Sequence, residues 1–154
     1  MAPASFRDTV LLSAWKIMGK WLVEVDVDRT KVFYSKDIGF CDCVYWENYM
    51  EACKDLDSPL MELFTTLGVI PSKPNHSSEF GELEDGLHLY IGSYHIVGKL
   101  VEGEYCSESE WNDTNTARMG NYIFAFARDV TFLNDGFPQP VLQLDFEARI
   151  PWVL

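Results

Sequence analysis

Between Gly86 and Leu100 the chain reads GLHLYIGSYHIVGKL, an unbroken period-two pattern around a Gly92-Ser93 pair. Strict alternation marks a half-buried β-strand, and Gly followed by Ser suits the central positions of a type II′ turn. The stretch is therefore predicted to be a β-hairpin pairing Ile91 with Tyr94, Tyr90 with His95 and His88 with Val97. One face would carry Leu87, Leu89, Ile91, Tyr94 and Ile96, and the other His88, Tyr90, His95 and Lys99. Two of the chain's three histidines would then be diagonal neighbours, about 7–8 Å apart at the backbone.

The same alternation recurs elsewhere. Trp21, Val23, Val25 and Val27 interleave with Glu24 and Asp26. Tyr122, Phe124 and Phe126 interleave with Ile123, Ala125 and Ala127. Leu142, Leu144, Phe146 and Ala148 interleave with Gln143, Asp145, Glu147 and Arg149. Each is the mark of a sheet with one covered face. Asp28 to Thr30 reads as a turn, with Lys31 to Tyr34 returning as a second strand arm. Helical spacing runs through Tyr45 to Leu56. A second helix has Ser58 as its expected N-cap, Pro59 at its first position, and a Leu60, Leu63, Phe64, Leu67 stripe closed by Gly68. Ser72 to Ser78 and Glu102 to Thr116 read as loops. Residues 1–19 read as a helical extension, with Val10, Ala14, Ile17 and Met18 near one stripe. The fold expected is a single α+β domain over residues 1–154, an antiparallel sheet of about six strands with two central helices packed on one face.

Charge narrows the partners. The net charge is −12. Residues 79–113 hold nine acids against Lys99 alone, whereas residues 1–36 are net basic. Nucleic acid and anionic membrane both demand lysine and arginine, so neither is expected. The acidic loops 79–85 and 102–113 are either solvated or a docking surface for a basic protein, and a DNA-mimicking surface is interrupted by Tyr105 and Trp111. No run of about 18 apolar residues is present. Lys16 and Lys20 break the apolar N-terminal stretch, which argues against a secretion signal and for a cytoplasmic protein.

Chemistry is sparse. Cys41 and Cys43 are separated by one residue, short of the usual spacing of paired zinc ligands. A zinc site from Cys41, Cys43, His88 and His95 is the one cofactor the residues could compose, against ordinary packed, free cysteines. His88, Tyr90 and His95 could hold a general base. Nucleophile elbows, phosphate-cradling glycine loops and His-Glu-x-x-His patterns are missing.

The segment Cys43-Val-Tyr45-Trp46-Glu-Asn48-Tyr49 resembles the Cys-x-Tyr-Cys-x-Asn-Phe/Tyr signature of a group of uncharacterised small bacterial proteins. His88-Leu-Tyr90-Ile-Gly92-Ser-Tyr94-His95-Ile-Val-Gly98 resembles that group's His-Leu-Tyr-Gly-Gly-Trp-Tyr-His-Phe-Val-Gly stretch. The ending Pro151-Trp152-Val153-Leu154 is also similar. Trp46 stands where the group has its second cysteine, and Ile91 and Ser93 replace a glycine and a tryptophan. The resemblance covers roughly residues 20–154 and implies a fold and a bacterial origin without an activity. It adds Tyr45 and Asn48 to His88, Tyr90 and His95 as candidate ligand-binding residues. The expectation is a non-catalytic binding or accessory module whose acidic surface meets a protein or small ligand. The alternative is a metal-dependent or acid/base enzyme using the His88, Tyr90 and His95 face.

Overall fold

The computed structural model describes residues 12–36, 43–106 and 108–154. In chain order the elements are β1 (Leu12–Ile17), β2 (Trp21–Asp26), α1 (Val27–Tyr34), α2 (Val44–Ala52), α3 (Ser58–Leu67), β3 (His76–Glu82), β4 (His88–Glu102), β5 (Tyr105–Cys106), β6 (Ala117–Met119), β7 (Tyr122–Ala127) and β8 (Val141–Ile150). The sheet runs β1-β2-β4-β8-β7-β5, with β3 also on β4 and β6 also on β7. The fold is mixed α and β, and the sheet is mixed as well, because β5 joins β7 in parallel.

The predicted hairpin is instead one strand. β4 runs 15 residues without a turn. Its residues from His88 to Val97 pair consecutively with β8 from Ile150 back to Val141. Gly92 and Ser93 sit inside this ladder opposite Phe146 and Asp145. Alternation cannot distinguish one long strand from two short ones, and the consequence for facing is large. Across a two-residue turn Tyr90 and His95 would face the same way. Along one strand residues of odd separation face opposite ways, so His88 and His95 part company.

β4 is long enough to serve two neighbours on one edge. Its first half pairs with β3 and its last residues with β2. Between those partners lie His95 and Val97, and α1 completes their backbone hydrogen bonding. Tyr34 Oη donates to the His95 carbonyl (2.8 Å) and accepts from the His95 N–H (3.1 Å). Thr30 Oγ1, one helical turn earlier, accepts from the Val97 N–H (3.0 Å). Asp26 caps this helix by accepting from the Arg29 N–H (3.0 Å). The expected strand at Lys31 to Tyr34 is therefore a helix: the Asp26 cap and the i, i+4 placement of Thr30 and Tyr34 outweigh the β-propensity of Val32 to Tyr34. Tyr34→Phe would leave a buried N–H and a buried carbonyl short of their partner, at a cost of about 2 kcal/mol. Denaturant unfolding of the variant checks that figure.

Other expectations change as well: Asp28 to Thr30, expected as a turn, belongs to α1, and the expected loop from Glu102 to Thr116 carries β5. The helical extension gives way over Leu12–Ile17 to β1, which pairs with β2; residues 1–11 lie outside the described part. The loop expected through Ser78 becomes β3 from His76 onward. The N-cap of α3 is Asp57, so Ser58 is already helical, while Gly68 closes the helix in the left-handed conformation as expected. β7 and β8 form where the alternation places them.

One face of β4, β8 and β7 supplies the core, with Tyr90, Tyr94, Ile96, Leu144, Phe146, Tyr122, Phe124 and Phe126 all buried. Leu60, Leu63, Phe64 and Leu67 of α3 are buried too. The Phe64 ring meets Tyr94 at 5.1 Å, and Tyr122 and Phe124 at 6.0 Å each. The hydroxyls of this core close their own network. Tyr49 Oη lies 2.7 Å from both Tyr94 Oη and Tyr122 Oη, and Tyr94 donates to the Pro71 carbonyl (2.5 Å). One proton per hydroxyl then sets the direction, Tyr122 to Tyr49 to Tyr94 to Pro71. Burial holds all three phenols well above the ordinary tyrosine range and pushes the neighbouring Cys53 thiol up to about 12. Cys53 and Cys106 are free thiols.

Candidate functional site

His88 lies on the core face near one end of β4. Its Nδ1–H donates to Glu79 Oε2 at 2.6 Å, Glu82 approaches Nε2 at 3.9 Å, and Trp152 packs on the ring at 5.0 Å. Glu79, counted from sequence among solvated acids, is in fact shielded as this partner, its side chain 8% exposed. Around the pair, α2, the start of β4 and residues 151–153 converge. Asn48, fully buried, donates to Tyr90 Oη (3.3 Å) and the Pro151 carbonyl (3.1 Å), and accepts from the Val153 N–H (2.7 Å). Tyr90 in turn donates to the Tyr45 carbonyl (2.7 Å), and Trp152 meets the Tyr45 ring at 6.0 Å. These bonds engage the Tyr90 hydroxyl as both donor and acceptor, and burial raises its pKa. Asn48 thus ties residues 151–153 to α2, and Tyr90 braces it from β4. A small cavity of about 290 Å³ lies beside it, bordered by Cys43, Tyr45, Glu79 and Tyr90.

His95 lies on the opposite face of β4, buried, about 23 Å along the strand from His88 at ~3.3 Å per residue. The two imidazoles share neither a water nor a ligand. The zinc set from Cys41, Cys43, His88 and His95 fails on this separation, and Cys41 lies outside the described residues. Among the described residues no three His, Cys, Asp or Glu side chains gather closely enough to hold a metal. Burial lowers the His95 pKa, which favours the neutral ring. Its Nε2–H donates to Gln143 Oε1 (2.9 Å), which also accepts from the Thr131 N–H (2.8 Å). Gln143 Nε2 then donates to Asp145 Oδ1 (2.9 Å). His95 is thus the buried end of a relay that orients Asp145.

Asp145 stands in a cleft on this second face, a cavity of about 360 Å³. Its floor is Ile91 and Ser93 of β4, Ala127 of β7, and Gln143 and Asp145 of β8. β3 forms one wall with His76, Ser78 and Phe80, the alternate residues that point away from Glu79. An extra β3 residue between Glu79 and Glu82, where Gly81 takes φ +109°, makes a bulge that leaves Phe80 62% exposed. The segment after β7 brings Arg128, Asp129, Thr131 and Phe132, and Trp111 completes the lining. Phe132 has φ +54°, a conformation a bulky non-glycine residue adopts only at a cost. That backbone holds its ring at the mouth, stacked on His76 at 4.4 Å and 66% exposed.

No family model matches the chain, and no curated protein or solved structure matches it either. The cleft is therefore read from its own chemistry. Of its residues, the alternation predicted only that Gln143 and Asp145 share a polar face. Phe80 and Trp111 come from segments that read as acidic loops, and Phe132 lies between two alternating runs. Phe80 and Trp111 stand among polar residues outside any apolar stripe, the one signal the sequence offers for them.

Proposed function

We propose that the protein is a non-catalytic binding module that seats a small, partly apolar ligand in the cleft between β3 and the segment following β7. The observation that carries this reading is the pair of strongly exposed aromatic rings, Phe80 and Phe132, framing a cavity with a polar sheet floor. Large apolar side chains are seldom left in water together, and a concave site with a few convergent polar groups is the usual form of a ligand pocket. Strain at Phe132 supports it, because the chain spends stability to hold that ring at the mouth. The enzyme alternative needs His88, Tyr90 and His95 on one face, and that arrangement is lost. The acidic loops stay in the proposal as surroundings: Glu82, Glu84, Asp85, Glu102, Glu104, Glu110 and Asp113 are exposed and would favour a ligand or protein without negative charge.

Titration with the neutral, flat dye Nile red tests this. Saturable binding with a rise in fluorescence is expected, and Phe132→Ala should weaken it about tenfold, or ~1.4 kcal/mol, without lowering the melting temperature. Alanine keeps a Cβ, so the left-handed backbone at this position stays as strained in the variant, and the melting temperature is measured alongside to separate binding from stability. Dye binding that does not saturate, or that ignores Phe132→Ala, would overturn the assignment.

A further inference from the structure

Resting on that reading of the cleft, we propose that it selects organic cations, an alkylated ammonium group above all, over neutral and anionic molecules of the same shape. The lining combines aromatic rings with carboxylates. Phe80, Phe132 and Trp111 line it, Phe132 with one ring face stacked on His76 and the other left over, and the negative face of an aromatic ring attracts an ammonium group most strongly when water is displaced. Asp129 and Asp145 add two formal negative charges to the same cavity. Its one lysine or arginine among the lining residues is Arg128, which leans out to Glu110 Oε1 (3.4 Å) and the Tyr105 carbonyl (3.4 Å).

The Asp145 carboxylate is also held in place. The relay from His95 through Gln143 to Asp145 Oδ1 orients it from a buried, neutral imidazole. A carboxylate set in advance loses less entropy on meeting a cation than one that must be gathered from solvent. No phosphate or carboxylate ligand fits this arrangement, because two acids would face it with a single, already engaged guanidinium. A tetraalkylated ammonium fits on both counts. It has no N–H to satisfy, so ring faces suffice as its near neighbours, and its charge is met by Asp145 at longer range. The whole-chain charge of −12 would draw such a cation from solution in the first place.

The probes are choline, its neutral isostere 3,3-dimethylbutan-1-ol, and the anion 3,3-dimethylbutyrate, each scored by displacement of Nile red and by ligand-detected NMR. Choline should bind at least about tenfold more tightly than the alcohol, and the anion should not bind. Rising salt should weaken choline and leave the alcohol unchanged, since screening acts on charge alone. Asp145→Asn, which keeps an oxygen for Gln143, should narrow the choline-to-alcohol ratio several-fold. The salt series on the unmodified protein keeps the test decisive if that variant folds poorly. Equal binding of choline and the alcohol, preference for the anion, or choline binding indifferent to salt would each overturn the cation assignment while the cleft stands as a neutral site. Failure of Nile red and all three probes to bind would remove both readings.

Discussion

Truncating Phe64 to alanine is expected to destabilise the protein by about 3–5 kcal/mol, the range measured for large aromatic deletions from a core. Phe64 is fully buried at the centre of α3. Its ring touches Tyr94 of β4 and both Tyr122 and Phe124 of β7, so it joins strands that are distant in sequence. Those neighbours cannot collapse into the gap easily. Tyr94 and Tyr122 are tethered through Tyr49, and Tyr94 is tethered again to Pro71. A void beside tethered side chains keeps its volume, and the cost then lies at the upper part of the range. Urea unfolding of the purified variant measures it. A loss below about 1 kcal/mol would mean that α3 does not seal this core.

Gly92→Ala should cost on the order of 3 kcal/mol, large for a single added methyl group. A Cβ at this position would lie 2.2 Å from the His76 carbonyl oxygen and 2.8 Å from the Phe146 ring. The nearer obstacle is backbone of β3, so relief requires β3 to move away from β4 or the Phe146 ring to leave its place against Tyr49 and Tyr94. Glycine inside a strand commonly marks such close approach. Since β3 is a wall of the cleft, the variant should also weaken dye binding. Unfolding and Nile red titration together read both effects. A neutral Gly92→Ala variant would mean that β3 is not pressed against β4 at this point.

Gly92 shows where sequence reasoning stops. A glycine-serine pair between two alternating runs is equally consistent with a turn and with a strand that another backbone crosses closely. Local pattern carries no information on which it is, because the deciding contact is with His76, sixteen residues earlier. The histidines follow from the same ambiguity. His88 and His95 share a face if the chain reverses at Gly92 and oppose each other if it does not. Tyr34 is a parallel case: its segment has strand-like composition, but its hydroxyl completes the backbone bonding of His95 where β4 lacks a strand partner. The cleft was harder still to read. Phe80, Trp111, Phe132 and Asp145 belong to four separate segments, and only the sheet order brings them to one cavity.

What the amino-acid order determined alone was local and periodic: strands at Trp21–Asp26, Tyr122–Ala127 and Val141–Ile150, and the helix ended by Gly68. Alternation and helical stripes express which residues must leave water, and that demand is met within a few neighbouring positions. The tertiary structure decided what depends on pairing between distant segments. It joined 88–102 into one strand, sent His95 to the far face as a support for Asp145, turned Glu79 inward to His88, and left Phe80 and Phe132 exposed at a common mouth. These outcomes rest on register and on hydrogen bonds that backbone groups must find somewhere in the fold, and neither is encoded in the spacing of any one segment.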